Sequence, residues 1–228
     1  MKKKTRATAS RLAKRRKGAV AKSKAPVRRA ASVPRRPVAK TDTKAEIRRL
    51  KTLLAKAMAR IDQLQTAAET DFLLGIPNRR GFERELGRAI SYIQRYHANG
   101  ALIVLDVDRL KPINDNFGHA AGDQVLKAIV AVLSRQIRSS DVIGRLGGDE
   151  FALLLWNLSE TDAHAKVAAL EEDIGRLSFA FAGGTVATGV SAGVAVLGPH
   201  SEAARALADA DCAMYVRKAQ RRHEWSAS

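Results

Sequence analysis

The first forty residues of this 228-residue chain contain no acidic side chain, yet they hold sixteen of its 40 lysines and arginines. The net charge of +17 is therefore carried almost entirely by this stretch, and residues 41–228 have 24 basic against 23 acidic side chains. A polyanion-binding role suggested by overall charge is thereby confined to the tail. Large apolar side chains are also nearly missing there. Lys, Arg, Ala, Ser and Pro cannot bury enough surface to offset the entropy of ordering, so residues 1–42 are expected to form a disordered basic tail. Runs such as Lys14-Arg15-Arg16-Lys17 suit a loose, salt-sensitive contact of residues 1–40 with nucleic acid or an anionic membrane surface. A merely solubilising extension is the competing reading.

Cysteine occurs once, which excludes an intramolecular disulfide. Cys212 lies among small and apolar residues in a helix-like segment and is expected to be buried and inert. There is no apolar run of the ~18 residues that a membrane-spanning helix needs, and the basic N-terminus is not followed by the apolar segment of a secretory signal. The expectation is a soluble, cytoplasmic protein. No internal repeat is visible. A hydrophobic content of 46% is nonetheless enough for a real core.

From Lys44 to Thr70 the pattern is helical, with Ile47, Leu54, Ile61 and Ala68 seven apart and Leu50, Ala57 and Leu64 forming the second set. This heptad seam predicts a parallel two-stranded coiled coil over residues 43–70. The alternative is one amphipathic helix packed on its own domain. Residues 71–228 are expected to form the second unit. Gly75 and Pro77 stop the first helix, and a second runs from about Phe82 to Tyr96. Ala101 to Asp108 is a continuous apolar run ending in acids, as expected of a central strand covered on both faces, with Asp106 and Asp108 on one side. Helices near Lys111 to Asn116 and Gly122 to Arg138 come next, then a hairpin about Gly147-Gly148. A helix near Ser159 to Leu177, a single strand from about Gly184 to Val196 and a helix from about Glu202 to Gln220 complete the pattern. This order predicts an α+β fold: a ferredoxin-like antiparallel sheet with helices packed on one face.

The hairpin carries the chemistry. Gly147 and Gly148 permit positive φ and leave no Cβ before an approaching ligand, while Asp149 and Glu150 set two carboxylates at its tip. With Asp106 and Asp108 at the strand end, these supply hard oxygen ligands for a divalent cation, provided the strand and the hairpin pair. Taken alone, the tip reads equally as a tight turn with a solvated acidic end, and Asp-x-Asp as a helix cap or loop former.

Four stretches in order remove that ambiguity: Asp71-x-Leu73-x-Gly75-x-Pro77-Asn78-Arg79-Arg80; Leu105-Asp106-x-Asp108-x-x-Lys111-x-Ile113-Asn114-Asp115-x-x-Gly118-His119-x-x-Gly122-Asp123; Arg145-x-Gly147-Gly148-Asp149-Glu150-Phe151; and Ala210-Asp211-x-Ala213-Met214-Tyr215-x-x-Lys218. Together they resemble the motifs of a diguanylate cyclase of the GGDEF family, from about Asp71 to His223. The resemblance implies a palm-like nucleotide cyclase fold and condensation of two GTP into cyclic di-GMP with loss of two pyrophosphates, by a homodimer. It implies that Asp106, Asp149 and the carbonyl of Val107 hold Mg²⁺ or Mn²⁺, with Asp149 assisting deprotonation. Glu150 would support the tip and a second metal. Asn114 and Asp123 would read guanine, and Lys111, Lys218 and Arg222 would hold the phosphates against Gly147 and Gly148.

Within the family, Arg138-x-x-Asp141 at this distance before the glycines is an inhibitory product site for cyclic di-GMP; its residue-level alternative is a helix-terminal Arg followed by a turn Asp. The chain departs from the family pattern at Leu74, at Leu110 and most at its end. There the usual Ala-Lys-x-x-Gly-Arg-Asn reads Arg217-Lys218-Ala219-Gln220-Arg221-Arg222-His223, without the turn glycine. A non-catalytic module that senses GTP or cyclic di-GMP and signals through a partner is the competing function.

Overall fold

A computed structural model describes residues 42–226, with side chains as far as Arg222; the predicted basic tail lies outside the described residues. The first helix, α1 (Thr43–Glu69), covers the predicted heptads. Its stripe residues Leu50, Leu54, Ile61 and Leu64 are 54–60% exposed, so they do not pack on the sheet domain. A narrow apolar stripe left open on one helix is what a coiled-coil strand presents when seen alone.

After α1 come α2 (Arg79–Tyr96), β1 (Gly100–Asp108), α3 (Leu110–Phe117), α4 (His119–Gln136), β2 (Val142–Arg145), β3 (Glu150–Trp156), α5 (Glu160–Gly175), β4 (Ser178–Phe181), β5 (Gly184–Ala187), β6 (Gly189–Leu197) and α6 (Ala203–Ser226). The main sheet has the order β2-β3-β1-β6 with every pairing antiparallel. This is the ferredoxin-like arrangement expected from the element pattern. Two helix starts are set by side chains: Asn78 accepts from the Gly81 N–H at 3.1 Å and Ser159 from that of Asp162 at 3.1 Å.

Helices cover both faces of the sheet, not one. Along β1, Ile103, Leu105 and Val107 join the cluster with Val125, Ile129 and Leu133 of α4 and Leu170 and Ile174 of α5. The intervening Leu102 and Val104 pack with Phe82, Leu86 and Ile93 of α2 and Ala210 and Met214 of α6. The unbroken apolar run from Ala101 to Leu105 demands this, because successive side chains point to opposite faces. Phe82, Leu86 and Ile93 are fully buried, and truncating any one to alanine should cost about 2–5 kcal/mol.

Two other expectations change. The stretch read as one strand is two, because β5 turns back on β4 through Gly183 and Gly184 at φ 112° and 152°, and only β6 joins the main sheet. The local partner, β4, begins directly after the predicted helix end at Leu177 and was not read as a strand. Cys212 is exposed. The buried positions of α6 are Ala206, Ala210 and Met214, four apart and on the other side of the helix. At Gly193 of β6 a Cβ would collide with the Ala210 carbonyl and the Met214 amide, so α6 meets the sheet at backbone distance. Among the described residues no helix is long and apolar enough to cross a membrane.

Candidate active site

β1 and β3 are neighbours, which meets the condition for sharing a cation. Asp106 lies opposite Glu150 in the register, and the Val107 N–H donates to the Asp149 carbonyl at 2.9 Å. Asp106 is only 5% exposed, and Lys218 of α6 donates to its Oδ1 at 2.5 Å. Burial pushes the Asp106 carboxyl above its ordinary value; Lys218 pulls it back, and the nearby Asp149 and Asp108 push it up further. Asp108 is raised as well, first by burial, against a hydrogen bond from Ser191 at 2.9 Å and the charge of Arg221. The two acids do share one side, since both meet cations of α6.

The tip is built differently from the expectation. Neither Gly147 nor Gly148 takes a positive φ. Their carbonyls instead accept from Arg145, Gly147 from Nε at 3.0 Å and Gly148 from Nη2 at 2.7 Å. The absence of a side chain still matters. A Cβ on Gly147 would come within 2.9 Å of the Glu150 carboxylate, whereas one on Gly148 would meet nothing within 4 Å, so Gly148 faces open space. Glu150 itself turns to Arg79, at 3.5 Å, and supports the tip.

Two adjoining cavities, of about 580 and 410 Å³, share Leu110, Lys111 and Asp149 in their walls. The larger adds Val107, Asp108, Lys218 and Arg222, and the smaller adds Asn114, Asp123 and Gly148. Lys111 lies in the first turn of α3, where free N–H groups and the helix dipole favour an anion. Gly122 holds the far end in shape, because a Cβ there would strike the Asn114 carboxamide. One end of the cleft is thus basic, and the other presents an amide beside a carboxylate, a donor and acceptor set suited to a base edge.

Arg138 and Asp141 stand apart from this cleft, in the wall of a small cavity of about 180 Å³. Asp141 accepts from the backbone N–H of Arg138 at 2.9 Å and of Trp156 at 3.1 Å. Its carboxylate therefore shapes a turn.

Several residues named in the sequence motifs had been given no role. Arg217 forms a two-pronged pair with the buried Glu171, at 2.9 and 3.1 Å, fixing α6 to α5 one residue before Lys218. Arg145 pairs with Asp71 at 3.0 Å. Arg221, standing where the family pattern has glycine, enters the wall of the larger cavity beside Arg222. An arginine at that altered position was the one signal available.

The donors fit a magnesium-like ion. Among the described residues no three His, Cys, Asp or Glu side chains gather closely enough to cage a metal. What converges is two carboxylates, Asp106 and Asp149, near enough that the charge of Asp149 raises the proton affinity of Asp106, plus backbone oxygen. Mg²⁺ accepts that set, since it takes one or two carboxylates and fills its other positions with water and phosphate.

An antiparallel sheet with two such carboxylates beside a basic cleft is the frame on which the likeness to known proteins rests. The chain belongs to the family described as "Diguanylate cyclase, GGDEF domain", whose model matches residues 68–224. It is 43% identical over 161 residues to diguanylate cyclase TpbB of Pseudomonas aeruginosa, covering 68% of this chain and 36% of TpbB. It thus spans about a third of that relative's length. The solved GGDEF domain of TpbB superposes with a TM-score of 0.62 at 40% identity, over 66% of this chain and 89% of that one. The coiled coil and GGDEF domain of DgcB from Caulobacter crescentus, solved with c-di-GMP, aligns over 79% of this chain and 96% of that one. Its TM-score is 0.68 at 24% identity, a likeness of fold.

Proposed function

We propose that this chain is a diguanylate cyclase that condenses two GTP molecules into cyclic di-GMP and releases two pyrophosphates. The observation that carries this reading is the cleft itself, with Asp106, Asp149 and Lys218 gathered at one end and Asn114 and Asp123 at the other. Guanine is read by the Asn114 amide and the Asp123 carboxylate. The triphosphate lies against Lys111, Lys218, Arg222 and the open backbone at Gly148. The 3′-hydroxyl of one GTP attacks the α-phosphorus of the other, the bond to the β-phosphate breaks, and pyrophosphate leaves; the exchange repeats to close the ring. Asp149 assists in taking the hydroxyl proton. Mg²⁺ or Mn²⁺, held by Asp106, Asp149 and the Val107 carbonyl, would acidify that hydroxyl and neutralise phosphate charge.

One cleft holds one GTP, so two domains must meet. The open stripe of α1 supports a parallel homodimer as the means, raising the effective concentration of the second domain. In that register Glu46 of one helix faces Lys51 of the other, an attractive flanking pair. Product inhibition at Arg138 and Asp141 is supported by their place in a cavity separate from the cleft. The work belongs in the cytoplasm, where GTP is available, and polyanion contact falls to residues 1–40. Incubation of the purified chain with GTP and Mg²⁺ followed by nucleotide chromatography tests the reading. Cyclic di-GMP and pyrophosphate are expected, and GTP bound but left unchanged would point instead to a non-catalytic sensor.

A further inference from the structure

The last turns of α6 read the end of β1 as a two-rung ladder. Lys218 and Arg221, three apart and so on one helix face, meet Asp106 and Asp108, two apart on one strand face. The first rung is the 2.5 Å bond already described; in the second, Arg221 Nη1 stands 3.4 Å from Asp108 Oδ2. Only the first belongs to the family pattern, since Arg221 replaces its turn glycine.

Arg221 is 14% exposed, and removing a guanidinium from water to that extent is costly unless its donors are used. They are used incompletely. Nη1 donates to the Val190 carbonyl, Nε has no hydrogen-bond partner, and Asp108 Oδ2 has none either despite the nearby charge. Asp108 takes its one side-chain hydrogen bond from Ser191, through Oδ1. If the arginine served only to neutralise Asp108, a closed, hydrogen-bonded pair would be expected at that depth. The geometry is that of a cation held beside a carboxylate without a closed pair, with part of its donor capacity unused.

The same side chain lines the larger cavity. The wall there carries Arg109, Lys111, Lys218, Arg221 and Arg222 against only Asp108 and Asp149, an excess of positive charge suited to the polyanionic part of a nucleotide. Room for the fork is made by Gly189, where a Cβ would come within 3.2 Å of Arg221 Nη2. The helix cannot drift, because Arg217 is tied to Glu171 and α6 touches β6 at Gly193.

We propose that Arg221 is an additional phosphate-binding residue of this chain, taking the outer phosphates of the bound nucleoside triphosphate and then the departing pyrophosphate, with Asp108 as its orienting partner. A planar fork suits phosphate oxygens better than a lysine point charge does, and it supplies at this position what the altered C-terminal motif would otherwise lose. The inference rests on the reading of the cleft as a GTP site.

The test is equilibrium binding by calorimetry, with Ca²⁺ replacing Mg²⁺ to prevent turnover and with GTP, guanosine and pyrophosphate as probes. Arg221→Ala is expected to weaken GTP and pyrophosphate roughly tenfold or more, the worth of one charge-assisted hydrogen bond, and to leave guanosine unchanged. Arg221→Lys should recover part of the loss. Arg221→Gln, which keeps bulk and donors without charge, replaces the alanine variant if circular dichroism finds the latter unfolded. Equal GTP affinity in wild type and variant overturns the inference alone. A parallel fall in guanosine binding overturns it too, assigning Arg221 to the fold. Failure of the wild-type chain to bind GTP overturns the cleft reading with it.

Discussion

Arg145 and Asp71, 74 positions apart in sequence, are joined by a 3.0 Å ion pair that is mostly shielded from water. The other nitrogens of the same guanidinium hold the carbonyls of Gly147 and Gly148. One side chain therefore ties the segment leaving α1 to the loop that carries Asp149. Arg145→Ala should release that loop and slow cyclic di-GMP synthesis by roughly a hundredfold, the scale of a small misplacement of reacting groups. The fold should lose only about 1–3 kcal/mol, read from urea titration beside the rate.

Asp149→Ala removes a carboxylate from an open hairpin tip and no core contact. Synthesis should fall below detection while the melting temperature moves little. Retained turnover would take Asp149 out of the mechanism.

The buried Asp106 sets a pH dependence. Its native carboxyl is raised above the ordinary 3.8, chiefly by burial. In metal-free protein its contribution to stability is therefore fully present below the ordinary value and is lost as pH rises through the raised native value. Metal binding needs the ionised form and runs the opposite way, weakening as pH falls through that same raised value. Melting curves with and without Mn²⁺, compared with Asp106→Asn, should show both trends in the wild type; in the variant the Mn²⁺ effect should be lost and the metal-free trend reduced to the part that the raised Asp108 contributes.

Removing residues 1–66 leaves Ala68 and Glu69, which contact Asn78, but deletes most of the apolar stripe. Activity per domain should then fall most at low protein concentration, because pairing becomes bimolecular. A dilution series giving equal specific activity for both lengths would exclude α1 from that role.

Arg138→Ala should leave the initial rate nearly unchanged and keep progress curves straight as cyclic di-GMP accumulates. The Arg138 backbone N–H, which Asp141 accepts from, survives the substitution, so the turn stays intact. Identical curves for wild type and variant with added cyclic di-GMP would assign the pair to the turn alone.

The parts of this molecule legible in the sequence are those with a strong local code. The apolar run of β1, the heptads of α1 and the breakers about Gly147 each announce an element and its partner's chemistry. Helix placement on both sheet faces was implicit in the same β1 run, but counting elements concealed it. The β4–β5 ribbon was missed because its pairing is local and its first strand comes after a helix without a clear stop. The pairings of Arg217, Arg221 and Arg145 could not be read for another reason: their partners Glu171, Asp108 and Asp71 lie 46, 113 and 74 positions away, and no spacing rule reaches that far.

The last turn of α1 is stapled to the start of α2. Asn78 donates through its side chain to the Ala68 carbonyl and through its backbone to that of Glu69, Thr70 bridges Pro77, and the Glu69 carboxylate pairs with Arg84. A joint of this kind passes on rotation, where a flexible linker would absorb it. Each residue inserted upstream of Ala68 turns everything before it by about 100° and advances it about 1.5 Å, while seven together restore the azimuth to within about 20°. The register of this helix is thus set by phase: insertions in steps of seven keep it, and other lengths turn it.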